Sequence, residues 1–342
     1  MPDRAYFLKL IATIIIVGAA WFGSNFYENN KEAENPTIAQ SSQKENFSTP
    51  APLNATSTIK STAAILPVAQ NIFLLPIADT SLPVRKWSVS EPEFSAKSIY
   101  AIEIISGKTL LQKEPEQIRP IASLTKLMTA LVVMERANLK DTITISKEAV
   151  ETYGEMGNLV INENISIESL LYALLIESSN DAAVALSEKF FTKGVSALGA
   201  NSQFVDFMNQ RAKELGLANT HYSDPSGLNN ENVSTPKDLI KLIQKVIEYP
   251  LLTQIMKTPE IEIKSADEKY KHRLTNSNKL LVKYPEIIAG KTGYIDEAGS
   301  CMILVLKSPD NQGVIFNVIL GSDDRIGEMD RLIQWEKEAF VW

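Results

Sequence analysis

The sequence predicts an α+β domain carried behind an apolar N-terminal segment and a long polar tether. Two observations predict the fold class. Strand-like runs gather at the two ends of the domain, residues 98–105 and 109–112 early and 286–294, 301–306 and 314–320 late, and the stretch between them reads as helix. Strands grouped around a helical middle build an antiparallel sheet with helices packed on it, not the alternating pattern of a parallel α/β sheet. A third observation sets the limits. Residues 28–85 are rich in Ser, Thr, Asn, Gln, Ala and Pro without a helical period, which leaves 86–342 as one sizeable domain.

Residues 1–27 read as a membrane element. The stretch from Leu10 to Phe22 is apolar, with Arg4 and Lys9 before it and Glu28, Glu32 and Glu34 after it. Positive charge ahead of an apolar segment keeps its N-terminus in the cytoplasm and sends the rest of the chain across the membrane. The apolar core is short for a spanning helix, as in a signal peptide. Ala20-Trp21 is only a passable cleavage site, so an uncleaved signal anchor at the cell membrane is expected ahead of a cleaved signal and a secreted domain. The tether contains one apolar island, Ile-Phe-Leu-Leu-Pro-Ile at 72–77, to which the sequence assigns no role.

Past the first two strands, Pro120 marks a helix start. The run from Ile121 to Met134 is rich in helix formers and lacks Gly and Pro. Ser123 and Lys126 lie three apart in it, so a helix places both on one face, the hydroxyl within reach of the amine. A free serine is a weak nucleophile and needs an adjacent base. A lysine serves as that base only if burial or a nearby positive charge lowers its proton affinity. Ser123 also lies near the helix N-terminus, whose free N–H groups favour a developing oxyanion.

A second polar cluster, Ser178-Ser179-Asn180, interrupts two apolar helical stretches at 170–176 and 181–186 and reads as a short loop entering a cleft. Ser178 is a candidate proton relay, and Asn180 a candidate to orient the lysine or a substrate amide. The same residue types also cap helices, and one of them must start the second stretch. A third cluster, Lys291-Thr292-Gly293, sits on the first late strand. There lysine and threonine suit a substrate carboxylate, and Gly293 lets substrate backbone approach closely. Lys291 would also supply the positive charge that Lys126 needs, if this strand lines the same cleft. The last element is a helix from about Glu328 to Phe340.

Other chemistries fit poorly. The two histidines, His221 and His272, have no G-x-S-x-G elbow to serve, and His221 beside Tyr222 suits packing or capping. The single cysteine, Cys301, excludes an internal disulfide and reads as a buried small residue. No H-E-x-x-H, clustered His/carboxylate pattern or P-loop is present, so neither a metal nor another cofactor is expected. A net charge of −7 and the lack of a basic stripe argue against nucleic acid.

Ser123-x-x-Lys126, Ser178-x-Asn180 and Lys291-Thr292-Gly293, in this order, are the three motifs of penicillin-binding proteins and class A β-lactamases. From about Ser95 to Trp335 the chain resembles the D-alanyl-D-alanine carboxypeptidases, the low-molecular-mass penicillin-binding proteins of serine peptidase family S11. The resemblance extends to the flanks of the motifs and to Ala212–Leu228, Ser234-Thr235, Asp238-Leu239 and Asn276–Leu281. It implies the β-lactamase/transpeptidase-like fold, an antiparallel sheet flanked by helices with the cleft at a helical subdomain. It implies Ser123 as nucleophile, Lys126 as its base, Ser178 and Asn180 as aids to proton transfer and positioning, and Lys291, Thr292 and Gly293 as the binding strand. The N–H groups of Ser123 and Tyr294 would form the oxyanion hole. Arg325 is a loose match to an arginine near the substrate's terminal carboxylate. The implied partners are peptidoglycan stem peptides as substrates and β-lactams as inhibitors.

Two departures stand out. Ile295 occupies the place of a hydroxyl residue two positions after the third-motif glycine, and Glu103 replaces a commoner aspartate in what is expected to be a structural role. Three alternatives share the fold: a DD-endopeptidase, a β-lactamase using Glu214, and a catalytically weak wall-binding protein. The segment Ala212-Lys-Glu-Leu-Gly216 reads better as a helix end with a glycine cap than as a catalytic loop. Many family members add a C-terminal β domain and a membrane helix; neither pattern follows here, so the N-terminal segment is expected to be the anchor.

Overall fold

The computed structural model describes residues 83–154, 158–190 and 197–342, apart from the side chains of 197–201. The expected membrane segment, the apolar island and the tether up to residue 82 lie outside the described residues.

The first described strand, β1 (Val84–Arg85), belongs to the stretch expected to be tether. Its place is set by a side chain rather than by a local pattern. The Arg85 guanidinium lies 4.9 Å from the Trp335 ring and 5.7 Å from the Phe340 ring, both near the C-terminus. A cation over aromatic faces is attracted to them, and this contact draws the start of the domain against its end.

Five antiparallel strands form the central sheet. Two come early, β2 (Ser98–Glu103) and β3 (Lys108–Lys113). Three come late, β4 (Ile287–Ile295), β5 (Gly299–Lys307) and β6 (Val314–Ser322). Their spatial order is β4-β5-β6-β2-β3, which leaves β4 at one edge. A last short strand, β7 (Phe340–Val341), pairs with β1. Glu103 has the structural role expected of it. Its carboxylate accepts from the N–H groups of Ile105 (3.0 Å), Ser106 (2.7 Å) and Val314 (3.1 Å), tying the β2–β3 turn to β6.

The central strands are apolar on both faces because both faces are covered. The helix α1 (Lys126–Arg136) follows the first motif. The second motif lies between α2 (Ile167–Tyr172) and α3 (Asn180–Glu188). Further along come α4 (Ala197–Glu214), α5 (Pro236–Val246) and the last helix, α6 (Arg325–Ala339). On one face, Met329, Leu332, Ile333 and Trp335 of α6 pack on Met302, Leu304 and Leu306 of β5 and on Ile99 and Ile315. The alternate residues Cys301, Ile303 and Val305 point to the other face, where α5 packs on β6 and β2, and α1 packs on α5. The sheet with helices on both sides is the architecture expected.

The expected last helix begins three residues early. Asp324 caps it, its carboxylate accepting the Gly327 N–H at 2.9 Å. That start places Arg325 on the first turn, beside the edge strand β4.

Candidate active site

The first motif is not one continuous helix. Ser123 lies in a 3₁₀ turn, Ala122–Thr125, and Lys126 is the first residue of α1. Side chains at i and i+3 eclipse one another in a 3₁₀ turn, which aligns the pair more closely than an α-helix does. The Lys126 Nζ is 2.9 Å from the Ser123 Oγ. Two glycines hold the turn tight. A Cβ on Gly227 (φ +88°) would lie 2.1 Å from the Ala122 carbonyl oxygen, and one on Gly293 would lie 2.9 Å from the Ser123 nitrogen. Ala122 itself sits at φ +47°, a strained conformation for a residue with a Cβ.

Lys126 is fully buried. Besides Ser123 it meets the Asn180 Oδ1 at 2.8 Å and the Ser226 carbonyl at 2.5 Å. The Asn180 amide is oriented by its other end, since Nδ2 donates to the Tyr153 carbonyl at 3.0 Å. Both of these partners can only accept. A neutral amine has two N–H groups for them and one lone pair, which is left for the serine proton. Burial drives the Lys126 amine down to about 7, with the negative charge of Asp224 opposing it. Half of it is then neutral near neutral pH, and it can take a proton.

The second motif is both a site and a cap. Ser179 accepts the Ala182 N–H at 3.0 Å and so starts α3. The π-type turn Ala173–Glu177 ends with Ser178 in the left-handed region, at φ +71°. That strained backbone turns the Ser178 Oγ toward the Lys291 Nζ, 2.8 Å away. Lys291 is also fully buried, and it is held well below the ordinary lysine range by burial first, then by the charges of Lys126 and Arg325. Its expected service as the charge that activates Lys126 is therefore corrected. The third motif does line the same cleft, but desolvation is what lowers Lys126.

The edge strand β4 brings the third motif alongside the 3₁₀ turn. The Thr292 Oγ1 lies 2.7 Å from the Ser277 Oγ, so the lead-in Asn276-Ser277-Asn278 orients it. The absent side chain of Gly293 makes room for the turn that carries Ser123. Tyr294 is exposed and its hydroxyl donates to Asp296 at 2.8 Å. Arg325, the loose match, does reach the site. Its NH1 donates to the Gly293 carbonyl at 3.1 Å and contacts the Ser300 Oγ at 3.4 Å, and its buried Nε has no partner. The structure thus joins Lys126 to Ser123 and Asn180, joins Lys291 to Ser178, and sets Gly293 and Arg325 beside the turn, while the Tyr294 side chain points to Asp296; the group can support acyl transfer to a serine with a lysine base.

The comparisons with known proteins agree with this geometry. The model of peptidase family S11, D-alanyl-D-alanine carboxypeptidase, matches residues 85–324. The chain belongs to this family. Within family S11 it is 32% identical to the D-alanyl-D-alanine endopeptidase of Pseudomonas aeruginosa, over 79% of this chain and 84% of that protein. It is 32% identical to the D-alanyl-D-alanine carboxypeptidase of Streptomyces sp. strain K15, over 63% of this chain and 78% of that protein. The crystal structure of the Streptomyces K15 DD-transpeptidase superposes with a TM-score of 0.67 at 28% identity, over 72% of this chain and 99% of that one.

One partner of the base was not singled out in the sequence. The Ser226 carbonyl reaches Lys126 through the backbone, so no side-chain motif reveals it. The S11 chain also places the remaining candidates. Glu214 sits at the end of α4, capped by Gly216 at φ +66°, and its exposed carboxylate is bound by Arg211 (3.0 Å) and Gln210 (2.9 Å). Cys301 is buried, as expected, and burial pushes its thiol up to about 11. His221 is exposed and engages Val233 through its backbone, not by packing. His272 is buried against Glu163 at 2.9 Å. No cluster of metal-ligating side chains occurs among the described residues.

Proposed function

We propose that this S11 peptidase is a D-Ala-D-Ala carboxypeptidase that removes the terminal D-Ala of peptidoglycan stem peptides through an acyl-enzyme on Ser123. The reading rests above all on the environment of Lys126: a buried amine whose two N–H groups are taken by Asn180 and Ser226 and whose lone pair faces the serine hydroxyl.

In this reading Lys126 takes the Ser123 proton as Oγ attacks the penultimate D-Ala carbonyl. The negative charge on the tetrahedral oxygen is received by the N–H groups of Ser123 and Tyr294. The Oγ–C bond has formed; the C–N bond then breaks, and the departing amine takes, by way of Ser178, the proton that Lys126 had gained, which leaves the lysine neutral again. Lys291 supports that transfer by its bond to the Ser178 Oγ. Lys291, Thr292 and Arg325 favour the substrate's terminal carboxylate by charge and hydrogen bonding. Water, deprotonated by the same lysine, attacks the ester and frees Ser123.

A second reading, cleavage of the D-Ala cross-link between stem peptides, is favoured by the likeness to two D-alanyl-D-alanine endopeptidases, from Pseudomonas aeruginosa over 79% of this chain and from Escherichia coli K12 over 72%. Both reactions use the same acyl-enzyme and differ in the size of the leaving amine. The N-terminal segment is proposed to anchor the domain on the outer side of the cell membrane.

The test offers the full chain two substrates: a diacyl-Lys-D-Ala-D-Ala peptide and a cross-linked muropeptide dimer. Release of D-Ala from the first by wild type, and not by Ser123→Ala, supports the carboxypeptidase. Cleavage of the dimer alone assigns the endopeptidase. Equal turnover by Ser123→Ala overturns both.

A further inference from the structure

Beside the site lies a loop, residues 223–232, that carries none of the three motifs and meets both Lys126 and the 3₁₀ turn. Its centre is Asp224, whose carboxylate gathers five donors. Oδ1 accepts from the Ser226 N–H (2.6 Å), the Ser226 hydroxyl (2.7 Å) and the Gly227 N–H (2.7 Å). Oδ2 accepts from the Asn229 N–H (2.7 Å) and the Asn232 Nδ2 (3.1 Å). Asn232, itself fully buried, returns the tie by accepting the Ser223 N–H at 2.5 Å. The loop is fastened to α1 where the Thr129 hydroxyl donates to the Pro225 carbonyl at 2.6 Å. It is fastened to the 3₁₀ turn where Gly227 abuts Ala122.

We propose that Asp224 is a positioning residue for the reaction: through the loop it ties together, it aims the Ser226 carbonyl at Lys126 and sets a fixed negative charge behind the base. The inference rests on the reading of Lys126 as the base. A carboxylate with five donors is a rigid hub, because an ionised group leaves little for its neighbours to gain by moving. The Ser226 carbonyl is two residues away on that hub, and it accepts from the Lys126 Nζ at 2.5 Å.

The charge has its own effect. On β4, Lys291 is coupled to Lys126 and to Arg325 of α6, and that coupling lowers Lys291 itself. On the α3 side Lys126 meets the neutral amide of Asn180, next to the buried Asp181. Asp224 is the carboxylate whose charge acts on Lys126. Burial favours the neutral amine, and Asp224 favours the protonated one. The balance keeps the base strong enough to hold a proton between the two halves of the reaction, when it must take one and then return it.

Two measurements on the full chain test this. The first is the pH dependence of acylation by a fluorescent penicillin in wild type, Asp224→Asn and Asp224→Glu. The Asn variant is expected to lower the plateau rate and to move the midpoint to lower pH by roughly half a unit to one unit. The Glu variant, which keeps the charge, is expected to leave the midpoint in place. A merely structural role would lower the rate at every pH with an unchanged midpoint in both, and that result overturns the proposal. The second is the NMR titration of the ¹³C-labelled Lys126 side chain in the same proteins. It reads the amine directly, so it still decides about Asp224 if the chain proves unreactive toward penicillin and the peptidase reading falls. If Asp224→Asn does not fold, Asn232→Ala carries the positioning claim. It unpins Oδ2 without removing the charge, and is expected to lower the plateau severalfold at a fixed midpoint; an unchanged plateau overturns the claim.

Discussion

Lys126 and Ser123 form the pair on which the chemistry depends, and its properties follow from solvation. An amine with no exposure to water loses the hydration that favours its charge, so it comes down from the ordinary 10.5 to about 7. The neutral form is the base, and its fraction rises with pH. Acylation by penicillin is therefore expected to increase through a midpoint near 7 and level off above it, as stopped-flow fluorescence would record. Lys126→Met is expected to slow acylation by about a hundredfold to ten-thousandfold, the usual range for a positioned proton acceptor. The same burial couples to stability. Between about pH 7 and 10.5 the unfolded chain binds a proton at Lys126 that the folded site excludes. This residue's contribution to stability thus rises with pH across that window.

The scale of the element explains how the pair is held. The 3₁₀ turn, the α2–α3 junction, the 223–232 loop and β4 each present one face to Lys126 or Ser123, and glycine is required where two of them touch. Gly227→Ala would place a Cβ 2.1 Å from the Ala122 oxygen and force an unfavourable φ on the new side chain. We expect it to cost more than about 2 kcal/mol of stability and at least tenfold in acylation; thermal melts and penicillin labelling would show both. At this scale the sequence was informative where chemistry lies in side chains. Ser123, Lys126, Ser178, Asn180, Lys291 and Arg325 are each where the motifs and their flanks suggested, and the edge strand and its apolar neighbours were visible as runs. What remained hidden depends on backbone and on distant contacts. The 3₁₀ start of α1 is imposed by Gly227 and Gly293, more than a hundred residues away. The Ser226 carbonyl carries no side-chain signature. The strand Val84–Arg85 sits in a composition typical of tether, and only rings some 250 residues away reveal it.

For the whole molecule, the sheet separates two environments, with the site on one face and a sealed core on the other. That core holds one unusual group. Glu336 of α6 is buried against the central strand β6, where the Asn317 Nδ2 donates to its Oε2 at 3.2 Å while its Oε1 has no partner. Burial pushes its carboxyl from 4.5 up to about 8. Within that window the folded state keeps a proton that the unfolded chain releases, so stability falls as pH rises. Glu336→Gln removes the titration and keeps the shape. The melting temperature of the variant relative to wild type is expected to increase steadily from pH 4.5 to about 8, by differential scanning calorimetry. A constant difference would show that Glu336 is charged in the fold.

The central claim, that a serine held by a buried lysine is acylated, is tested most directly by the mass of the full chain after reaction with benzylpenicillin. The account predicts one penicilloyl group, mapped by proteolysis and tandem mass spectrometry to Ser123, absent from Ser123→Ala, and formed faster as the pH passes 7. An adduct on another residue, or an equal adduct on Ser123→Ala, would contradict it.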